Sequence, residues 1–174
     1  MSYHKIPVGK KYPEIINTVI EIPKKSQNKY EYDEEMDEIK VDRVLHSSMH
    51  YPLDYGFIPG TRGDDGDHLD VLLVISSEIF PGCMVSARPI GVADMEDENG
   101  QDWKIVAVAE RDPRLEEVQE LEDLGEHFKK EVQHFFEEYK RLENKKVKFK
   151  KWLGKNEAYE IIKNGKAKFD MGMK

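Results

Sequence analysis

Apolar residues recur at every second position through most of the first two-thirds of the chain, then at every third or fourth position in the last third. The pattern changes from strand-like to helical after about residue 110. INTVIEI (16–22) is apolar and β-branched. In KYEYD (29–33) Lys29, Glu31 and Asp33 share one face and Tyr30 and Tyr32 the other. EIKVDRVL (38–45) alternates too, and sets Arg43 in line with Ile39 and Val41. DVLLVI (70–75) is an unbroken run of the kind that is buried on both faces. MVSARPIGVADM (84–95) and WKIVAVA (103–109) predict two more strands, joined through EDENGQD with its Asn-Gly turn signal. HYPLDYGFIPGT (50–61), punctuated by Pro and Gly, reads as a rigid loop.

From Glu126 to Leu142 the apolar residues Phe128, Val132, Phe135, Phe136, Tyr139 and Leu142 form one stripe at helical spacing. A second, short helix is expected at Asn156–Lys163, ended by Gly165. Five or six short strands followed by helices predict an α+β fold, and short twisted strands favour closure into a small barrel. With no repeat, low-complexity segment or linker, the expectation is one domain over 1–174, its barrel core at about 15–110 and its helical region at about 115–165.

Charge sharpens this picture. The net charge of −8 divides unevenly, because residues 140–174 hold 12 Lys and Arg against 4 acids, a net of +8, which leaves −16 on residues 1–139. A solvated lysine-rich terminal helix accounts for the basic end. So acidic a body is a poor partner for free nucleic acid and a good one for small, hard cations. No apolar run approaches the roughly 18 residues of a membrane span, and the first residues lack the apolar core of a signal peptide. The single cysteine, Cys83, excludes an internal disulfide, so a reducing, cytoplasmic location is expected.

Two acidic clusters carry the candidate chemistry. DDGDHLD (64–70) puts four carboxylates directly before a buried strand. In an extended segment Asp65 and Asp67 point the same way, Gly66 permits a tight backbone, and Asp70 rejoins them if the chain turns. Carboxylates this close repel and call for a proton or a metal, although an acidic surface loop also has this composition. In MEDENGQDWK (95–104) Asp97 and Asp102 flank a four-residue loop, ENGQ, and a hairpin there sets them opposite each other, with Lys104 on the face of Asp102. A helix–loop–helix calcium site fails at both ends, since with Gly100 at the sixth loop position Met95 and Val106 fall at the first and twelfth. Zinc is weakly supported by one cysteine and by histidines, including His50 and His68, without ligand spacing. All-carboxylate donors suit magnesium or manganese. Phosphate then needs cations and hydroxyls nearby: Lys29, Arg43 and Lys104 on strands, Tyr51 and Tyr55 in the 50–61 loop, and Tyr139 and Lys140 at the end of the amphipathic helix.

These residues lie in segments that resemble the soluble inorganic pyrophosphatases of the first family. DGDHLDV is similar to that family's signature, Asp-x-Asp-Pro-x-Asp followed by an aliphatic residue. VIEIP (19–23), KYEYD, VDR (41–43), YPLDYGFIPGT (51–61), RPIGV (88–92), DENGQDWKIVAV (97–108) and HFFEEYK (134–140) resemble further family segments in family order, over about Ile6–Trp152. The resemblance implies a small, twisted five-stranded OB-like barrel with flanking C-terminal helices, and hydrolysis of pyrophosphate to two orthophosphates. It implies that Asp65, Asp70, Asp97 and Asp102 hold several magnesium ions, with manganese or another divalent ion as a substitute and calcium inhibitory. Asp67 becomes the general base. Lys29, Arg43, Tyr55, Lys104, Tyr139 and Lys140 become phosphate contacts, and Glu21, Glu31, Asp42 and Tyr51 stand in the outer shell. No membrane or nucleic-acid partner is implied, and a homohexamer is. One departure is visible: His68 replaces the signature proline, which removes a fixed φ and adds an imidazole beside the acidic cluster. The rival readings are an OB-like binding module and a divalent-ion buffer without catalysis.

Overall fold

The structure, a computed structural model, describes residues 2–172. Along the chain come β1 (Ile16–Ile22), β2 (Asn28–Asp33), β3 (Glu38–Val44), β4 (Asp54–Ile58), β5 (Leu69–Val74), β6 (Met84–Asp97), β7 (Gly100–Ala109), α1 (Glu126–Glu138), β8 (Lys148–Gly154) and α2 (Lys155–Asp170). Strands β1, β4, β5, β7 and β6 pair in that order, and β6 pairs back onto β1, closing a five-stranded ring. The β5–β7 pair is parallel and the others in the ring are antiparallel. β8 adds to β6, and β2–β3 form a separate two-stranded hairpin. This is the α+β barrel with C-terminal helices that the sequence predicts. Among the described residues no helix is long and apolar enough to cross a membrane.

The unbroken apolar runs of β5 and β7 arise because each strand is buried on both faces. Val71, Leu73, Ile105 and Ala107 pack in one cluster with Ala158 and Ile162 of α2. Leu72, Val106 and Val108 pack in the other with Val132, Phe135 and Phe136 of α1. Burying a side chain such as Phe136 contributes about 1.5–3 kcal/mol. By strand alternation Asp70 lies on the face of Leu72, and Asp102 and Lys104 on the face of Val106. The parallel register sets Asp70 against Lys104. A charged row thus continues the apolar α1-facing row at one end of the barrel.

The structure corrects several expectations. The 50–61 loop contains β4, which is paired on both sides, to β1 and β5. The basic segment before α2 contains β8. α1 ends at Glu138, and Leu142 lies on a following 3-10 turn, 64% exposed, instead of extending the stripe. α2 runs straight through Gly165, whose lack of a side chain serves close packing: a Cβ there would meet Leu69 Cδ1 at 2.6 Å and the Arg62 carbonyl at 3.1 Å.

Two irregularities re-aim acidic residues. Ile20 faces Gly56 and Ile22 faces Tyr55, so Glu21 is an extra residue in β1. Lys29 faces Arg43 and Tyr30 faces Val41, so Asp42 is extra in β3. The second bulge breaks the predicted alternation, leaving Val41 55% exposed and out of line with Arg43.

Candidate active site

A cavity of 340 Å³ opens at the charged end of the barrel. Its wall draws on the bulge of β1, the β2–β3 hairpin, β4, the loop and strand that carry Asp65 to Asp70, the β6–β7 hairpin, and the end of α1. Asp65, Asp67, Asp70, Asp97 and Asp102 all line it. So do Glu21, Glu31, Lys29, Lys104, Lys140, Tyr55 and Tyr139. Eight carboxyl groups and three lysines line this wall, a surplus of acids whose mutual repulsion protons or positive ions would relieve.

The acidic loop is bent where an extended segment is the sequence expectation. Asp65 Oδ1 accepts the Asp67 N–H at 3.0 Å, Gly66 takes φ +90°, and Gly63 N–H donates to the Asp67 carbonyl at 2.7 Å. The fully buried Thr61 ties down its base: its hydroxyl donates to the Ile58 carbonyl at 2.6 Å and accepts the Leu69 N–H at 3.0 Å. Asp67 lines the cavity and remains exposed to solvent. Partial desolvation and then the charge of Asp65 raise its carboxyl above the ordinary value.

The second cluster also differs from expectation in register. The turn closes over Glu98 and Asn99, with Asp97 opposite Gly100 and Asp102 opposite Met95. Asp97 and Asp102 therefore do not face each other across the ladder. Asp97 accepts the Asn99 N–H at 2.8 Å and lies 3.0 Å from Lys140 Nζ. Burial works to raise the Asp97 carboxyl, but Asn99 and Lys140 outweigh it and lower it.

Lys104 is the centre of the charge network. Its ammonium lies 2.7 Å from Asp70, 2.8 Å from Asp102 and 3.1 Å from the Tyr55 hydroxyl. Burial alone disfavours that charge, yet Asp102 and Asp70 hold the ammonium well above its usual range. Burial raises the Asp70 carboxyl, with Lys104 pulling it back. Burial raises the phenols of Tyr55 and Tyr139, and pushes Glu21 up to about 8 even though Glu21 accepts the Tyr32 N–H at 2.7 Å.

Three expected residues stand off the wall. Tyr51 is buried beneath it, its ring 5.9 Å from that of Tyr55 and 6.3 Å from that of Tyr139. Arg43 is held by Asp42 and by Glu143, 3.0 Å from its Nε. Asp42 reaches the cavity indirectly, 3.5 Å from Lys29 Nζ, which also contacts Glu31. Conversely, Tyr30, Tyr32, Glu34, Phe57, Asn99 and Gln101 line the cavity although no pattern in the sequence marks them as site residues. Glu34 lies in the run DEEMDE, where strand alternation stops and nothing distinguishes one acid from the next.

Among the described residues no three carboxylate, imidazole or thiolate groups already converge on one point as a metal would need. The donor chemistry nevertheless fits hard divalent ions: the wall's acids are all oxygen donors, and an ammonium already bridges Asp70 and Asp102 as a cation would. A family model described as inorganic pyrophosphatase matches residues 18–170. The chain belongs to the inorganic pyrophosphatase family.

Similarity to individual pyrophosphatases extends over nearly the whole chain. The inorganic pyrophosphatase of Sulfolobus acidocaldarius is 48% identical over 161 residues, which is 91% of this chain and 93% of that protein. That of Saccharolobus solfataricus is 51% identical over 162 residues, 91% of this chain and 94% of that protein. The crystal structure of inorganic pyrophosphatase from Thermus thermophilus superimposes with a TM-score of 0.94 at 43% identity, covering 98% of this chain and 99% of that one. Against the pyrophosphatase signature the position of note is His68. Its ring stacks on Phe57, with centroids 5.0 Å apart, and Nε2 lies 2.9 Å from Glu34. Burial lowers its proton affinity, while Thr61 and Glu34 oppose that effect.

Proposed function

We propose that this chain, an enzyme of the inorganic pyrophosphatase family, hydrolyses inorganic pyrophosphate to two orthophosphates with magnesium as its cofactor. The observation that carries the reading is the convergence of Asp65, Asp67, Asp70, Asp97 and Asp102, from two stretches of chain, on one cavity with Lys29, Lys104 and Lys140. Asp65, Asp70, Asp97 and Asp102 would hold the ions, with Glu21, Glu31 and Asp42 behind them. Divalent ions held there neutralise phosphoryl charge and acidify water.

The protein's own groups do the rest. Lys29, Lys104 and Lys140 present ammonium charge to the phosphates, and Tyr55 and Tyr139 present hydroxyls. Such charge stabilisation is the main catalytic contribution in phosphoryl transfer. Arg43 joins them by releasing one of its two carboxylate partners. Asp67, exposed on the cavity wall, takes the proton of the attacking water; its raised carboxyl suits that task better than an ordinary aspartate. Calcium, larger and less demanding in geometry, would occupy the carboxylates without supporting turnover. A homohexameric, cytoplasmic enzyme is part of the same reading.

Phosphate release from magnesium pyrophosphate tests it. Two orthophosphates per substrate support the reading. Magnesium binding without any release would make the cavity an ion buffer and refute it.

A further inference from the structure

The β2–β3 hairpin contributes Lys29 and Glu31 to the cavity, yet forms its own sheet, outside the barrel ladder. Its position over the acidic loop therefore depends on side chains. Just past β2, Glu34 meets the acidic loop and its approach. Its two carboxylate oxygens take both arms of the Arg62 guanidinium, at 2.6 and 2.9 Å, and one lies 2.9 Å from His68 Nε2. Both partners are anchored in turn. Arg62 donates its backbone N–H to the Gly165 carbonyl of α2 at 2.9 Å, and its guanidinium lies 5.2 Å from the Phe169 ring centroid. The His68 ring packs against Phe57 at 5.0 Å and 13° and Tyr32 at 6.2 Å and 21°, two rings that themselves stack 4.9 Å apart. His68 Nδ1 sits 2.8 Å from the Thr61 carbonyl, the residue whose hydroxyl fixes the loop base.

We propose that Glu34, gripped by Arg62 and His68, is a positioning residue for the substrate site: it latches the hairpin to the loop of Asp65–Asp70 and so fixes Lys29 and Glu31 across the cavity from Asp67. The inference rests on the proposed function for its consequence and on geometry alone for the latch. Proline, the signature residue at position 68, carries no N–H to offer Glu34, so this contact belongs to the histidine of this chain. Bidentate Arg–carboxylate pairing gives direction as well as attraction, and it adds to the Tyr32 N–H bond to Glu21 and the Tyr32–Phe57 stack that also hold the hairpin on the barrel. Lys29 and Glu31 touch the cavity directly; Glu34 acts through them.

The test compares full-length wild type with Glu34→Gln, His68→Pro and the double variant, using magnesium pyrophosphate and hydrogen exchange. Glu34→Gln keeps the shape of the side chain and removes its charge, so it probes the latch even if His68→Pro folds poorly. The latch predicts that Glu34→Gln raises KM about five- to tenfold while kcat changes less than about twofold, because substrate positioning and not the proton transfer is disturbed. Amides over 30–40 should exchange faster in the same variant. The double variant should be no worse than the worse single one, since both changes break one contact. Glu35→Gln, at an exposed neighbouring position, should leave both readouts at the wild-type level. Unchanged KM, unchanged exchange in Glu34→Gln, or additive losses would each overturn the proposal. If the wild-type chain releases no phosphate, the proposed function fails separately, and the exchange comparison still decides the latch.

Discussion

Lys104 Nζ lies 2.7 Å from a carboxylate oxygen of Asp70, and the lysine is only 4% exposed. The parallel β5–β7 register sets the two residues side by side, and Asp102 completes the group at 2.8 Å. The ammonium thus holds an otherwise repulsive pair of half-buried aspartates together.

Removing that charge should expose the repulsion. Lys104→Met is expected to destabilise the protein in EDTA by about 3–5 kcal/mol, the cost of leaving buried charge without a partner. Magnesium should restore more stability to the variant than it adds to wild type, because a divalent ion replaces the missing cation. Thermal unfolding with and without magnesium measures both; equal unfolding midpoints for the two proteins in EDTA would contradict the role given to Lys104.

Asp67 and Asp70 are three residues apart but are assigned different work. Asp67→Asn should lower kcat by about 10²–10⁴-fold, the usual contribution of a general base. Magnesium affinity by calorimetry should shift no more than about threefold. Collapse of magnesium binding with turnover per bound ion preserved would reverse the assignment.

Glu21 supplies a dependence of stability on pH. Its folded-state value of about 8 exceeds the unfolded 4.5, so between those values the folded state retains a proton that the unfolded chain has released. Stability of the metal-free protein therefore falls as pH rises through that window; the penalty is absent below it and complete above about 8. Its size is on the order of 5 kcal/mol. Glu21→Gln keeps an oxygen for the Tyr32 N–H and has no proton to lose, so denaturant midpoints in EDTA should drop less steeply from pH 5 to pH 8 in the variant. A parallel slope in the two proteins would sink the argument.

Gly165→Ala tests how α2 supports the site. The added Cβ meets the Leu69 side chain and the Arg62 carbonyl, one residue from Asp70 and within the Glu34 latch. Alanine favours the helix by roughly 1 kcal/mol, but overpacking costs about 1–3 kcal/mol. The expected result is a net loss in urea unfolding, and a gain in stability would show that Leu69 moves aside freely.

The sequence and the structure agree best where one physical signal dominates. Strands β1, β5, β6 and β7 and the stripe of α1 are long apolar patterns, and they appear where the patterning puts them. β4 does not read as a strand in the sequence because Asp54, Gly56 and the flanking prolines look like loop; barrel closure, with a partner on each side, makes it a strand. β8 was hidden by its lysines, which an exposed strand beside β6 tolerates. Gly165 read as a helix end because local sequence cannot show that Leu69, far away along the chain, packs against it. The acids of the cavity were legible because four carboxylates in seven residues is a costly composition, and the resemblance to pyrophosphatases gave each a role. Glu34 was not legible, since its partners Arg62 and His68 meet it only after folding.

The most direct test of the central claim, that these aspartates gather to hold divalent ions for hydrolysis, is orthophosphate release from pyrophosphate as magnesium is titrated into EDTA-treated protein. The account predicts no release without magnesium, two orthophosphates per pyrophosphate once it is supplied, and suppression by added calcium. A folded protein that releases no orthophosphate at any magnesium concentration, or releases it equally well in EDTA, would contradict it.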